Sequence, residues 1–344
     1  MGRYAPEYGK LMQRLSNYPF EPWLLERIGA AKSIALMTHI GPDADGLGSQ
    51  MAFYHAAALA GIEVCVVNED PLPERYGWLD AHRIAGHFDA HAARLQRADL
   101  GLIFDTNDVA RAGRPAQALL ARGVDLWIVD HHAVSAEVDI TGIVATDFSS
   151  SGELVYQLIK ALDWPVDADV ARGIYAAISF DTGSFRFIRN QSRTFRVAAE
   201  LLDTGLDTNP IQEALFASRP QQEVVLLGRV LNQLHFAADG RIAWAAVNDS
   251  IHEGLDVAPD ALGEMIPMLI GIDGVLIAMM LKPGRQPNEW KLSLRSKTAV
   301  KIGAVAAHFG GGGHAHAAGA TVYGDLSELA AQVLAMLEPI AKAV

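Results

Sequence analysis

The sequence predicts an α/β protein of two domains, and three observations lead there. A chain of 344 residues is longer than one hydrophobic core comfortably spans, and 50% of its residues are apolar, enough to bury two cores. From residue 33 onward, short apolar runs alternate with helix-like stretches, a repeated rhythm of strand, turn and helix. That rhythm breaks at Asp203-Thr204-Gly205-Leu206-Asp207-Thr208-Asn209-Pro210, a stretch of turn formers. The division is therefore a first domain over 1–204, a linker over 205–221 and a second domain over 222–344.

Residues 1–30 read as a helical lead-in whose apolar stripe is Leu11, Leu15, Leu24, Leu25 and Ile28. Ser33 to Met37 reads as a buried strand running into Thr38-His39-Ile40-Gly41-Pro42-Asp43-Ala44-Asp45-Gly46, before an Ala-rich helix from Met51 to Leu59. His39, Asp43 and Asp45 thus share one strand-to-helix turn, where open α/β sheets bind ligands. Helix capping accounts for one of the two aspartates and leaves the other acid and the imidazole idle. Ile62 to Val67 and Ala98 to Phe104 are further strands, the second ending at Asp105. Asp108 reads as a helix cap or as a partner to a ligand.

The apolar run Trp127-Ile128-Val129 stops abruptly at Asp130-His131-His132, a carboxylate and two adjacent imidazoles. A crossover is expected over 134–151 and helices over 153–162 and 194–202. Between those helices Asp181 follows another apolar run, with Gly183 permitting an unusual turn beside it. Phe185 and Phe187 alternate like a strand face and read as core, base stacking being the functional alternative.

Charge narrows the function. A formal net charge of −12 argues against a general duplex-DNA binder, because such proteins neutralise phosphates with clustered Lys and Arg. The local exception is 282–301, where six cations (Lys282, Arg285, Lys291, Arg295, Lys297, Lys301) face one anion, Glu289. That stretch suits a small anionic ligand or a solvated basic face. Cys65, the single cysteine, lies in an apolar run and reads as a small buried hydrophobe. No signal-peptide core opens the chain, and the longest apolar run, Met265 to Leu281, is broken by Pro267, Gly271, Asp273 and Gly274 into a helix end, a turn and a strand. A cytoplasmic protein without membrane contact is expected. His82, His87 and His91 read as solvated surface and His308 as packing or surface, and His316 receives no role.

Several strands delivering acids and imidazoles to one edge point to a metal site, because hard divalent cations need carboxylates converging in space. The ordered set His39-x-x-x-Asp43-x-Asp45, Asp105, Asp130-His131-His132 and Asp181 resembles the DHH phosphoesterase family over the first two hundred or so residues. In the second half, Leu292-Ser293-Leu294-Arg295-Ser296-Lys297 and Phe309-Gly310-Gly311-Gly312-Gly313-His314-Ala315-His316-Ala317-Ala318-Gly319 look like a DHHA1 domain. The combination most resembles the nanoRNase and pAp phosphatase group of oligoribonucleases.

The resemblance implies a DHH domain with a mainly parallel sheet flanked by helices, a smaller α/β DHHA1 domain and an active site in the cleft between them. It implies two Mn²⁺ ions, Mg²⁺ or Co²⁺ being compatible with the same ligand types. One ion takes His39, Asp43 and Asp105, and the other takes Asp45, Asp105, His131 and Asp181, with Asp105 as the bridge. His132 then faces the scissile phosphate, and Asp130 orients an imidazole. Substrate binding carries over to Arg295, Ser296, Gly311, Gly312, Gly313 and His314. A tetraglycine backbone can approach an anion closely and Arg295 offers a planar fork, whereas a flexible loop is the plain alternative for the glycines.

Two cations about 3.5–4 Å apart hold a bridging hydroxide and neutralise charge on a phosphoryl oxygen, so no covalent nucleophile is needed. The expected activity is 3′ to 5′ hydrolysis of short single-stranded RNA and conversion of pAp to AMP, and the resemblance adds a homodimer. Hydrolysis of pApA, pGpG or cyclic di-AMP is the alternative within the family. A nucleotide-binding regulator without catalysis is the alternative of another class, and the intact acid set speaks against it. A manganese pyrophosphatase shares the first domain's motifs but not the glycine-rich tail, and a RecJ-like exonuclease would carry further nucleic-acid-binding domains.

Overall fold

Four apolar runs and two short edge strands in the first part of the chain lie side by side as one parallel sheet. The computed structural model describes residues 20–133, 141–189, 192–257, 261–284, 286–297, 300–313 and 315–344. Helix α1 (Pro22–Gly29) precedes β1 (Ser33–Thr38), α2 (Ala44–Leu59), β2 (Glu63–Asn68), β3 (Ala85–His87), β4 (Leu100–Phe104), α3 (Gly113–Ala121), β5 (Asp125–Asp130) and β6 (Gly142–Val144). The strand order is β3-β2-β1-β4-β5-β6, every pairing parallel.

Parallel sheets are covered on both faces, which is why these strands read as unbroken apolar runs. Ile34, Leu36, Leu102, Phe104, Trp127 and Val129 join the core on one face, and Ala35, Met37, Ile103 and Ile128 join that on the other. The strand order reverses between β1 and β4. In such sheets the crevice outside the carboxyl ends at that reversal is where ligands sit.

Four helices complete the first unit: α4 (Ser151–Ala161), α5 (Ala168–Asp181), α6 (Ser192–Leu202) and α7 (Asn209–Phe216). Helix α5 places Asp181 at a helix end. The strand face expected at Phe185 and Phe187 is absent, since Ser184 and Phe185 take positive φ values of 61° and 63° in a turn. Phe185 packs on Tyr175 and Phe195, while Phe187 is 73% exposed. The expected linker over 205–221 is also corrected: it contains α7, whose Ile211 is buried in the first core, and the chain divides between Ser218 and Arg219. Leu11 and Leu15 of the lead-in and residues 134–140 of the crossover lie outside the described residues.

The second unit runs α8 (Gln221–Leu231), β7 (His235–Ala237), β8 (Ile242–Ala246), β9 (Ile277–Pro283), β10 (Glu289–Ser296), α9 (Gly303–His308), β11 (Gly312–Gly313), β12 (Ala317–Tyr323) and α10 (Leu326–Lys342). Its sheet is mixed, ordered β11-β12-β10-β9-β8-β7 with β8 and β9 parallel. Ile277, Met279 and Leu281 of β9 face one core, and Ala278 and Met280 the other. No described helix is long and apolar enough to cross a membrane.

Candidate active site

The carboxyl ends of β1, β4 and β5 carry His39, Asp105 and Asp130-His131-His132 to the sheet edge where the order reverses. Asp43 caps α2, its Oδ1 accepting from the backbone N–H of Asp45 at 3.1 Å and Gly46 at 3.2 Å. Its other oxygen lies 3.8 Å from His39 Nε2. Capping and facing the site are therefore not alternatives for this residue. Asp105 Oδ2 is 3.6 Å from the same imidazole nitrogen, and ligand atoms of His39, Asp43 and Asp105 all fall within 4.8 Å of one another.

A second set forms around His131. Its Nε2 is 3.6 Å from Asp45 Oδ2, 3.7 Å from Asp105 Oδ1 and 3.5 Å from Asp181 Oδ2. That nitrogen is buried and has no hydrogen-bond partner among the described residues. Ligand atoms about 2.1 Å from a shared cation stand about 3.0–3.5 Å apart, so an orphaned imidazole nitrogen ringed by carboxylate oxygens fits a metal ion. Asp105 contributes one oxygen to each set, from a backbone with a φ of 64°, a left-handed conformation that Asp tolerates better than most residues.

Side chains behind the acids orient them. Asp130 Oδ1 is 2.7 Å from His132 Nδ1 and accepts from the His132 N–H at 3.2 Å, so it serves His132. The Nδ1 of His131 instead faces the Phe148 carbonyl at 3.3 Å. Asn107 Nδ2 donates to Asp130 Oδ2 at 2.8 Å. At the start of α4, the N–H groups of Ser151 and Gly152 donate to the two oxygens of Asp45 at 2.8 and 2.9 Å, and Ser151 Oγ donates to Asp105 Oδ1 at 3.0 Å.

Sequence reasoning missed Asn107, Ser151 and Gly152. A signal existed for the last two: Ser150 accepts from the Glu153 N–H at 3.0 Å, the S-x-x-E signature of a helix N-terminus, which attracts carboxylates. Asn107 carried none.

Five aspartates in one place repel. Burial first, then like charge led by Asp105 on Asp45 and by Asp43 on Asp105, pushes both carboxyls well above their usual range. Burial and then Asp43 push Asp181 up to about 6. For Asp43 and Asp130 burial is again the largest influence and acts upward, but the imidazoles of His39 and His132 outweigh it and hold both carboxyls low. Burial, then the charge of His132, brings His131 down to about 4, keeping it neutral as a metal ligand must be. A divalent cation would relieve all three raised carboxyls at once.

In the second unit, Arg295 on β10 is half-buried, burial lowers its pKa, and its Nη1 donates to the Leu294 carbonyl. Among the described residues it has no carboxylate partner. The Ser296 hydroxyl is engaged, donating to the Val300 carbonyl at 2.6 Å and lying 3.1 Å from His316 Nδ1. His316 therefore packs within this domain. The N–H groups of Gly310 and Gly311 close α9 onto Ala307 and Ala306 at 3.0 and 2.9 Å. Gly312 and Gly313 pair with Gly319 and Ala318, and a Cβ on Gly311 would meet the Gly319 carbonyl at 2.1 Å. The glycine run is thus pinned against β12. His314 and Arg285 lie outside the described residues. Part of the basic stretch is structural: Lys291 pairs with Glu289 at 3.2 Å, and Lys297 donates to the Ile272 carbonyl.

Comparison with known proteins agrees with this geometry. Residues 33–178 match the DHH family N-terminal domain and residues 239–343 match the DHHA1 domain. The chain is 26% identical over 308 residues to the bifunctional oligoribonuclease and PAP phosphatase NrnA of Thermus thermophilus, covering 88% of each chain. It is 25% identical over 329 residues to the protein of the same name from Bacillus subtilis, covering 93% of this chain and 98% of that one. The fold is shared with an exopolyphosphatase-related protein from Bacteroides fragilis, at a TM-score of 0.85 and 23% identity over 94% of this chain and 98% of that one. The chain thus carries a DHH domain followed by a DHHA1 domain, an arrangement that points to a phosphoester hydrolase.

Proposed function

We propose that the protein is a metal-dependent phosphodiesterase and phosphatase that shortens small oligoribonucleotides from the 3′ end and converts pAp to AMP in the cytoplasm. The observation that carries this reading is His131 Nε2, buried, without a hydrogen-bond partner among the described residues, and faced by oxygens of Asp45, Asp105 and Asp181. His39, Asp43 and Asp105 would hold one cation, and Asp45, Asp105, His131 and Asp181 a second, Mn²⁺ suiting this oxygen and imidazole donor set. Such ions, when bound, lower the pKa of water and neutralise charge on a phosphoryl oxygen.

The remaining work falls to the chain's own groups. Asp130, itself held by Asn107, fixes the His132 ring through Nδ1, so His132 can present its Nε2 to a substrate oxygen. Ser151 and Gly152 keep Asp45 and Asp105 from turning away. Arg295, Ser296, Gly311, Gly312, Gly313 and His314 are proposed to take substrate phosphates, with Arg295 supported most by its half-buried, unpaired charge. The names of the two bacterial relatives support the substrate class.

The test is turnover of pAp, RNAs of graded length, pApA and pyrophosphate with Mn²⁺, for the wild type and Asp105→Asn. Short RNA and pAp are expected to be cleaved fastest. The variant is expected to lose activity by at least about a thousandfold, because several kcal/mol of charge stabilisation disappear with a shared ligand. It should remain folded, and its metal-free melting temperature at pH 8 should rise, since one member of a repelling set is gone. Undiminished turnover by the variant would sink the proposal, and wild-type nucleotide binding without any hydrolysis would favour a regulator.

A further inference from the structure

The active-site edge of the first unit is rich in acids, and its substrate is an anion. Resting on the functional reading above, we propose that Arg189 binds a phosphate of the substrate beside the one being cleaved and so sets the preference for oligonucleotides. Three observations support it.

First, Arg189 is built into the site's frame. Its N–H donates to Ser149 Oγ at 3.2 Å and its Nη1 to the Thr146 carbonyl at 2.9 Å. Ser149 in turn donates its N–H to Glu153 Oε2 at 2.9 Å, and that fully buried carboxylate also accepts from Arg193 Nε at 2.8 Å. The same turn continues into Ser151 and Gly152, the donors that hold Asp45 and Asp105.

Second, the charge of Arg189 is unspent. Arg193 pairs with Glu153 and Asp147, and Arg186 donates to the Gly183 carbonyl and lies over the Phe187 ring. Arg189 is exposed and, among the described residues, has no carboxylate partner; its one side-chain bond goes to a neutral carbonyl. A guanidinium has five N–H donors, so most remain for a ligand.

Third, it stands on the side of the cluster. Its backbone is tied to Ser149, two positions before Ser151, whose hydroxyl donates to Asp105 Oδ1 at 3.0 Å. An anchored cation on the turn that leads to the donors of Asp45 and Asp105, without a carboxylate partner among the described residues, suits an anionic ligand. Phosphodiester oxygens have the geometry a guanidinium fork accepts.

The experiment measures binding of a fluorescein-labelled trinucleotide with phosphorothioate linkages to the Mn²⁺-loaded full chain at graded salt, for the wild type, Arg189→Lys and Arg189→Gln. Loss of one phosphate contact should lower the slope of log K against log salt by about 0.7 in Arg189→Gln. Affinity should fall about tenfold, as expected for one hydrogen bond to a charged group. Arg189→Lys should keep the slope. In parallel, kcat/KM for bis(p-nitrophenyl) phosphate, which lacks a neighbouring phosphate, should fall in Arg189→Gln by a smaller factor than the trinucleotide affinity does.

A wild-type slope in Arg189→Gln overturns the inference. So does loss of the Mn²⁺-induced melting shift in both variants, which would make the residue structural. Absence of trinucleotide binding by the wild type would instead overturn the functional reading, independently of Arg189.

Discussion

Asp43 shows how much one side chain can carry: one oxygen ends a helix and the other faces an imidazole. Asp105 divides its oxygens between two sets of ligands in the same way. The electrostatics of such residues make a pH prediction. Asp45 and Asp105 sit well above the usual carboxylate range and Asp181 at about 6, whereas the unfolded chain releases these protons near about 4. Their contribution favours the folded, metal-free protein below about pH 4 and is lost as pH rises through the folded values. His131, brought down to about 4, acts oppositely: its contribution is present above about pH 6.5 and lost as pH falls toward 4. A cation must displace the carboxyl protons. Mn²⁺ should therefore raise the melting temperature more at pH 8 than at pH 5.5, and calorimetric binding heats near pH 6 should vary with buffer ionisation enthalpy. A shift independent of pH would contradict this account.

Between elements, the decisive contact is the crossing of α2 and α5. A Cβ on Gly48 would lie 2.4 Å from the Gly173 carbonyl, and one on Gly173 would lie 2.6 Å from the Gly48 carbonyl, so the backbones touch. That approach lets Asp45, in the first turn of α2, and Asp181, at the end of α5, face one imidazole. Gly173→Ala should destabilise the protein by about 1–3 kcal/mol through overpacking, read by urea denaturation, and should also weaken Mn²⁺ binding. Unchanged metal affinity would separate the crossing from the site. The sequence showed Gly173 only as a member of an apolar run. Such runs do not distinguish helix from strand, and the expected strand at Phe185 and Phe187 fails for a related reason, because two positive-φ residues interrupt the alternation.

At the scale of the whole molecule, the two units keep separate cores, two on the faces of the first sheet and two on the faces of the second. The candidate metal ligands belong wholly to the first unit. Differential scanning calorimetry of the full chain should resolve two transitions. At Mn²⁺ a hundredfold above Kd the first-unit transition should gain about 2.7 kcal/mol while the other stays in place. One transition moving as a whole would mean that the units unfold together.

By itself the sequence determined the α/β class, most of the strands and the acids and imidazoles at their tips. These depend on local patterns, apolar runs ended by polar turns, that survive without knowledge of the partner strand. The strand order with its reversal between β1 and β4, the attachment of α7 to the first core, and the hydrogen bonds that Asn107, Ser151 and Gly152 make to the acids were settled only by tertiary structure. Each of these depends on groups far apart in the chain coming within a few ångströms, as when the N–H of Ser151 reaches Asp45 from 106 positions away. Local propensity carries no record of such meetings.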